Sequence, residues 1–166
     1  VLKSVEDCRY STVFGSGVSA ITAVVSTLKT GELVLCEENL YRCTVRLLEQ
    51  VFNNFGIKVI WIDFTNPSNY KAIKDCKPSM VWLESPTNPL LKIINIKEIC
   101  NACSQHNIPV VVDNTFATAL IQQPLELGAT LSLTSTTKYI NGHSDALGGS
   151  ISTNDKEWND RMLFAQ

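Results

Sequence analysis

The sequence predicts an α/β domain with a mostly parallel sheet and helices on both faces. Three observations carry that prediction. Short apolar runs recur along the chain with no polar alternation, as in strands covered on both sides. Stretches of helical periodicity separate most of these runs. The residues richest in chemistry directly follow the runs, where open parallel sheets bind ligands beyond the carboxyl ends of their strands.

Taken in order, Ser11–Phe14 reads as a strand and Ser19–Lys29 as a helix, with Gly31 as its stop signal. Leu33–Cys36 is a strand. Tyr41–Asn54 is helical, with apolar residues at 45, 48, 51, 52 and 55. Ile57–Ile62 is a strand, Ser68–Asp75 a short helix and Met80–Leu83 a strand. Two prolines make Glu84–Pro89 irregular. Ile96–His106 is helical, Pro109–Val112 and Leu131–Thr134 are strands, Leu147–Ser152 is a last strand and Asp155–Ala165 a last helix. No repeat, linker or low-complexity tract divides the 166 residues, a length that suits one domain with a real core.

Composition narrows the function. Apolar residues make up 45% and charged residues 18%, ordinary for a globular protein. A net charge of -2 gives no electrostatic reason to expect nucleic acid or an anionic membrane surface as partner. Charged or amide residues interrupt every apolar run well short of the ~18 residues a membrane span needs. No secretory signal is visible, and the chain does not begin with Met, which suggests a fragment or a trimmed start. The six cysteines, several in apolar segments, point to a reducing, cytoplasmic setting. Cys100 and Cys103 form a CxxC, but at i and i+3 of a helix they simply share a face, and no second CxxC completes a zinc site. No metal centre is expected.

Four segments at strand ends, and the turn that follows the last of them, are candidates for chemistry. Gly15-Ser16-Gly17 opens a helix, where backbone N–H groups bind anions and small residues let a phosphate approach; a plain turn is the alternative. Asp113 ends an apolar strand. It is either a cap or loop acceptor, or a carboxylate awaiting a cationic ligand atom or metal. Ser135 and Thr137 can donate to phosphate oxygens, and Lys138 beside them is a phosphate contact or a nucleophilic amine. His143 and Asp145 either do acid–base work or order a tight turn. Glu84 and Asn88 flank Pro86 and Pro89 in a rigid turn that either aims an amide into a pocket or is only a rigid turn.

Together these segments closely resemble the pyridoxal-phosphate enzymes of cysteine and methionine metabolism: cystathionine gamma-synthase, cystathionine gamma-lyase, cystathionine beta-lyase and methionine gamma-lyase. The matching stretches are Gly15-Ser16-Gly17-Val18, Leu40-Tyr41-Arg42-Cys43-Thr44, Glu84-Ser85-Pro86-Thr87-Asn88-Pro89, Val112-Asp113-Asn114-Thr115-Phe116, and Ser135-Thr136-Thr137-Lys138-Tyr139 with Asn141-Gly142-His143-Ser144-Asp145. They stand in family order and spacing and cover nearly the whole chain.

The resemblance implies a fold-type-I, aspartate-aminotransferase-like large domain over residues 1–166, with pyridoxal 5'-phosphate as cofactor. It implies that Lys138 joins the cofactor covalently and then shuttles protons, and that Asp113 partners the ring nitrogen, whose protonation lets the ring accept carbanion charge. Tyr41 is implied to stack on the ring and assist Lys138. The backbone of Gly17 and Val18 with the hydroxyls of Ser135 and Thr137 forms the implied phosphate cradle. Asn88 is implied near the phenolic oxygen, and Thr115 and Glu84 in support. The implied reaction is beta or gamma elimination, or gamma replacement, on a sulfur amino acid or homoserine ester, in a homo-oligomer that is a dimer of dimers in the whole protein.

Two departures stand out. Arg42 and Cys43 stand in place of the family glycine after the stacking tyrosine, and Val18 stands where Met or Leu is usual. The expectation is also of a fragment, because the family's amino-terminal segment and carboxyl-terminal domain have no counterpart here, and Arg9, Arg42, Arg46 and Arg161 match none of their functional arginines. A non-catalytic cofactor-binding or oligomerisation fragment is the alternative.

Overall fold

The computed structural model describes residues 1–166. Its strands are β1 (Tyr10–Phe14), β2 (Leu33–Glu37), β3 (Lys58–Ile62), β4 (Met80–Glu84), β5 (Val110–Asp113), β6 (Leu131–Thr134) and β7 (Gly149–Thr153). Its helices are α1 (Leu2–Val5), α2 (Gly17–Val25), α3 (Arg42–Gln50), α4 (Lys71–Cys76), α5 (Ile96–Ser104), α6 (Thr118–Ile121) and α7 (Lys156–Ala165). All seven strands form one sheet in the order β1-β7-β6-β5-β4-β2-β3. β2, β3, β4, β5 and β6 pair in parallel, while β7 runs antiparallel to both β6 and β1. The expected mostly parallel α/β architecture is therefore present, with β7 as the one reversed strand.

The core lies on both faces, and strand parity decides which residue goes where. On β4, Met80 and Trp82 point to the face covered by Ile21 and Val24 of α2, Leu48 of α3 and Met162 of α7. Val81 and Leu83 point to the other face, under Ile73 of α4 and Ile96, Ile99, Cys100 and Cys103 of α5. All four β4 side chains are fully buried, and each contributes on the order of 1.5–3 kcal/mol of transfer free energy. Continuous apolar strands are the sequence form of this two-sided burial.

Several element bounds differ from expectation, and two short helices are additional. The helix expected over Tyr41–Asn54 ends at Gln50 and continues as a 3-10 turn, Phe52–Phe55. The tighter winding keeps Phe52 buried, and Gly56, at φ 81°, closes the turn. The helix expected from Ser19 begins at Gly17, because Ser16 caps it. The short helices α1 and α6 were not expected at all, being too short to show periodicity.

Candidate active site

The carboxyl ends of β4, β5 and β6 and the start of α2 surround a cavity of about 390 Å³. Its wall contains every residue singled out from the sequence as catalytic or cofactor-binding: Gly17, Val18, Tyr41, Asn88, Asp113, Thr115, Ser135, Thr137 and Lys138. Glu84, given only a supporting part by the sequence, also lines it, with Ser16, Ile21, Phe116, Leu133 and Leu147. Three larger clefts lie elsewhere, about 500, 570 and 1260 Å³; of the nine residues the first contains only Asn88, the second none and the third only Val18. Volume alone would have pointed away from the chemistry.

The start of α2 is built to leave donors free. The Ser16 hydroxyl accepts the Ser19 N–H at 3.0 Å, and the Ser19 hydroxyl accepts the Ser16 N–H at 2.8 Å. This reciprocal cap satisfies the third helical N–H. The N–H groups of Gly17 and Val18 precede any intrahelical acceptor. Ser135 and the start of β7 crowd this helix end. A Cβ on Gly17 would lie 2.8 Å from Ser135 Cβ, and one on Gly149 would lie 2.3 Å from the Ser16 carbonyl oxygen. Glycine at both positions lets β6, β7 and α2 meet.

Asp113 stands at the end of β5 with 5% of its surface exposed. Its Oδ1 accepts the Thr115 N–H at 3.1 Å and the Thr115 hydroxyl at 2.5 Å. The same hydroxyl oxygen accepts the Ser135 N–H at 2.9 Å, tying the ends of β5 and β6 together. Burial pushes the Asp113 carboxyl up, and the two Thr115 bonds oppose the push. Neither Asp113 nor Glu84 belongs to any of the ion pairs in the chain.

Glu84 ends β4, 3% exposed, and its Oε2 accepts the Tyr41 N–H at 2.7 Å, which fixes the start of α3 against the sheet. Burial, with the charge of Asp113 beside it, pushes this carboxyl up to about 9. The Tyr41 ring sits at the mouth, partly exposed, and the neighbouring Cys43 thiol raises its phenol above the ordinary value.

Lys138 follows β6 in a turn. Its N–H donates to the Ser135 carbonyl at 3.1 Å, its carbonyl accepts the Gly142 N–H at 2.7 Å, and its side chain lines the cavity. The Thr137 hydroxyl accepts the Gly148 N–H at 3.0 Å and donates to the Gly148 carbonyl at 3.2 Å. This donor is engaged with β7's leading loop, so only Ser135 of the two hydroxyls carries no protein hydrogen bond. The loop carrying Asn88 is held by Ser85, whose hydroxyl accepts the Ile94 N–H at 3.1 Å. Gln122 also bridges the Ser85 carbonyl at 2.7 Å to the Asn114 amide at 2.8 Å.

Two open readings resolve toward structure. His143 Nδ1 lies 2.9 Å from the Asn141 carbonyl, and the Asn141 amide donates to Asp145 at 2.9 Å, so these residues order the turn after Lys138. Cys100 and Cys103 are core residues under the sheet, with thiols that burial pushes up to about 12.

The cavity fits pyridoxal phosphate on its own terms. A buried carboxylate with no cationic partner awaits a cationic ring nitrogen. A helix end with two free N–H groups and the Ser135 hydroxyl awaits a phosphate. A primary amine, Lys138, lines the same space.

Comparison with known proteins points the same way. The sequence profile of the family described as Cys/Met metabolism PLP-dependent enzyme matches residues 1–166. A probable cystathionine gamma-synthase of Herpetosiphon aurantiacus is 40% identical over 165 residues, 99% of this chain and 52% of that protein. The cystathionine gamma-lyase of Bos taurus is 38% identical over 164 residues, 98% of this chain and 40% of its own length. Among solved structures, metB from Corynebacterium glutamicum superposes with a TM-score of 0.94 at 38% identity, covering 98% of this chain and 43% of that one. The cystathionine gamma-synthase of Xanthomonas oryzae pv. oryzae, solved with aminoacrylate and cysteine, gives 0.94 at 32%, covering 99% and 43%. The chain thus spans about half or less of the length of these relatives.

Proposed function

Since the chain belongs to the Cys/Met metabolism PLP-dependent enzyme family, we propose that it is the cofactor-binding domain of a carbon–sulfur lyase or transferase of transsulfuration. The substrate class is a sulfur amino acid such as cystathionine, or a homoserine ester. One observation carries the reading: nine residues spread from position 17 to position 138 converge on one cavity.

Pyridoxal phosphate, when bound, supplies an electron sink for charge left on an amino acid's α-carbon. The chain's own residues do the rest. The Gly17 and Val18 N–H groups and the Ser135 hydroxyl bind the phosphate, with Thr137 holding the flanking loop. Asp113 keeps a proton on the ring nitrogen, because a buried carboxylate favours the cationic form opposite it. Asn88 orients the ring's phenolic oxygen, and Thr115 holds Asp113 in place. Lys138 Nζ would hold the cofactor and, once free of it, would be placed to take the substrate's α-proton, with Tyr41 covering the ring and excluding water.

A homo-oligomer, a dimer of dimers in the whole protein, follows from the same reading. Leu120 and Ile121, exposed at 88% and 83%, support it, since large apolar side chains so placed favour a covering partner. Six unpaired cysteines support a cytoplasmic setting. No helix is long and apolar enough to cross a membrane. A second reading, cofactor binding without turnover, draws on the cavity wall, which offers Lys138 and no arginine to grip a substrate carboxylate.

The test is to add pyridoxal phosphate, reduce with borohydride and map the labelled peptide. Label on Lys138, lost in Lys138→Ala, is expected; label scattered over surface lysines would sink the assignment. Assaying cystathionine breakdown by the cofactor-loaded chain before reduction separates the two readings.

A further inference from the structure

Glu84 and Asp113 form a pair that the phosphate and ring contacts leave unexplained. The parallel pairing of β4 and β5 sets Glu84 directly opposite Asp113. Neighbouring strands lie about 4.8 Å apart, and opposed residues share a face. Parity puts both acids on the α2 and α3 face, with Trp82 and Val111. Both are buried and neither has a cation in ion-pair reach. Two carboxylates so close in a desolvated site do not both ionise.

Hydrogen-bond donors decide which one yields. Asp113 receives two donors from Thr115, which favour its charged form. Glu84 receives one, the Tyr41 N–H. The remaining titratable neighbours are Glu37 at the end of β2, Tyr41 with Cys43 on α3, and Lys138 across the cavity. Glu37 lies on the opposite face by parity and takes three N–H donors from Asn39 and Phe64, so its charge adds to the pressure on Glu84.

Resting on the reading of Asp113 as the ring-nitrogen partner, we propose that Glu84 is a positioning residue that works as a neutral acid. It stores the pair's single proton, leaves Asp113 as the sole negative charge of the pair, and anchors Tyr41 through its backbone N–H. A carboxylate at 84 would blur where the negative charge sits and leave a second ion buried without a partner.

The test compares the full chain with Glu84→Gln by infrared difference spectroscopy at pH 7, without cofactor. One protonated-carboxyl band is expected in wild type minus variant, disappearing on titration near pH 9. A featureless difference spectrum overturns the proposal. The positioning role is read by pyridoxal phosphate affinity. Glu84→Gln, which keeps a neutral acceptor for Tyr41, should bind within about twofold of wild type, and Glu84→Ala about tenfold more weakly. Equal losses in the two variants would mean that Glu84 acts as a charge, and the proposal fails. If wild type takes no borohydride label at Lys138, the functional reading falls while the infrared result stands; label without the band sinks this inference alone.

Discussion

Replacing Thr115 by Val tests whether the tie between β5 and β6 holds Asp113 ionised. The substitution conserves shape and removes one hydroxyl. That hydroxyl donates to Asp113 Oδ1 at 2.5 Å and accepts the Ser135 N–H at 2.9 Å. A hydrogen bond to a charged acceptor contributes about 1.5–3 kcal/mol, and a stranded buried N–H costs about 1–3 kcal/mol. Stability at pH 8 should therefore fall by about 3 kcal/mol, roughly a hundredfold in the unfolding constant. The loss should also depend on pH, with a definite sign. Asp113 already titrates above its unfolded value, so it weakens the fold as pH rises through its folded pKa. Losing a donor raises that folded pKa further. The deficit of Thr115→Val must then grow with pH and shrink in acid, where Asp113 is protonated in both proteins. Urea unfolding at pH 8 and at pH 5 measures both quantities. A loss below about 0.5 kcal/mol at pH 8, or equal losses at the two pH values, would refute the reasoning.

Gly17→Ala places a Cβ 2.8 Å from Ser135 Cβ, and its relief should cost about 1–3 kcal/mol and weaken pyridoxal phosphate binding, whereas Gly15→Ala, with nothing within 4 Å, serves as the control. Ser16→Ala removes half of the reciprocal cap on α2 and should lower the urea midpoint by an amount worth about 1 kcal/mol. Alkylation at pH 8 followed by mass spectrometry should modify the half-exposed Cys43 and Cys76 first; Cys100 and Cys103, buried with thiols pushed up to about 12, should react on the order of 100-fold more slowly.

Much of the site was legible because strand ends announce themselves. Asp113 and Lys138 each follow an apolar run, and the parallel-sheet rule sends such residues to one edge. Glu84 carries the same signal, a carboxylate ending the run Met80–Leu83, and deserved equal weight with Asp113. What hid its importance was register: only the pairing of β4 with β5 shows that the two acids oppose each other. The engagement of Thr137 with Gly148 was hidden for a similar reason, since the partner lies on a loop whose path periodicity does not describe. The break after Gln50 escaped because apolar spacing continues unbroken through residues 51, 52 and 55, while the winding changes underneath it. Strand direction escaped too: nothing in the run Leu147–Ser152 says that it enters the sheet reversed.

That reversed strand has a consequence for how the protein is made. β1 pairs with β7 and with no other strand, and β7 reaches the rest of the sheet through β6. During synthesis β1 has no ladder to join until residues 149–153 have followed it, some 140 residues later. Closing a loop of that length is slow compared with forming the local helices and the β2-to-β5 pairings. Pulse-labelled hydrogen exchange should accordingly show the amides of Tyr10–Phe14 gaining protection together with those of β7 and after those of β4. The turn at 15–17, which the proposed function assigns to phosphate, hangs on that late strand, so on that reading a nascent chain acquires its sheet before the means to hold a cofactor.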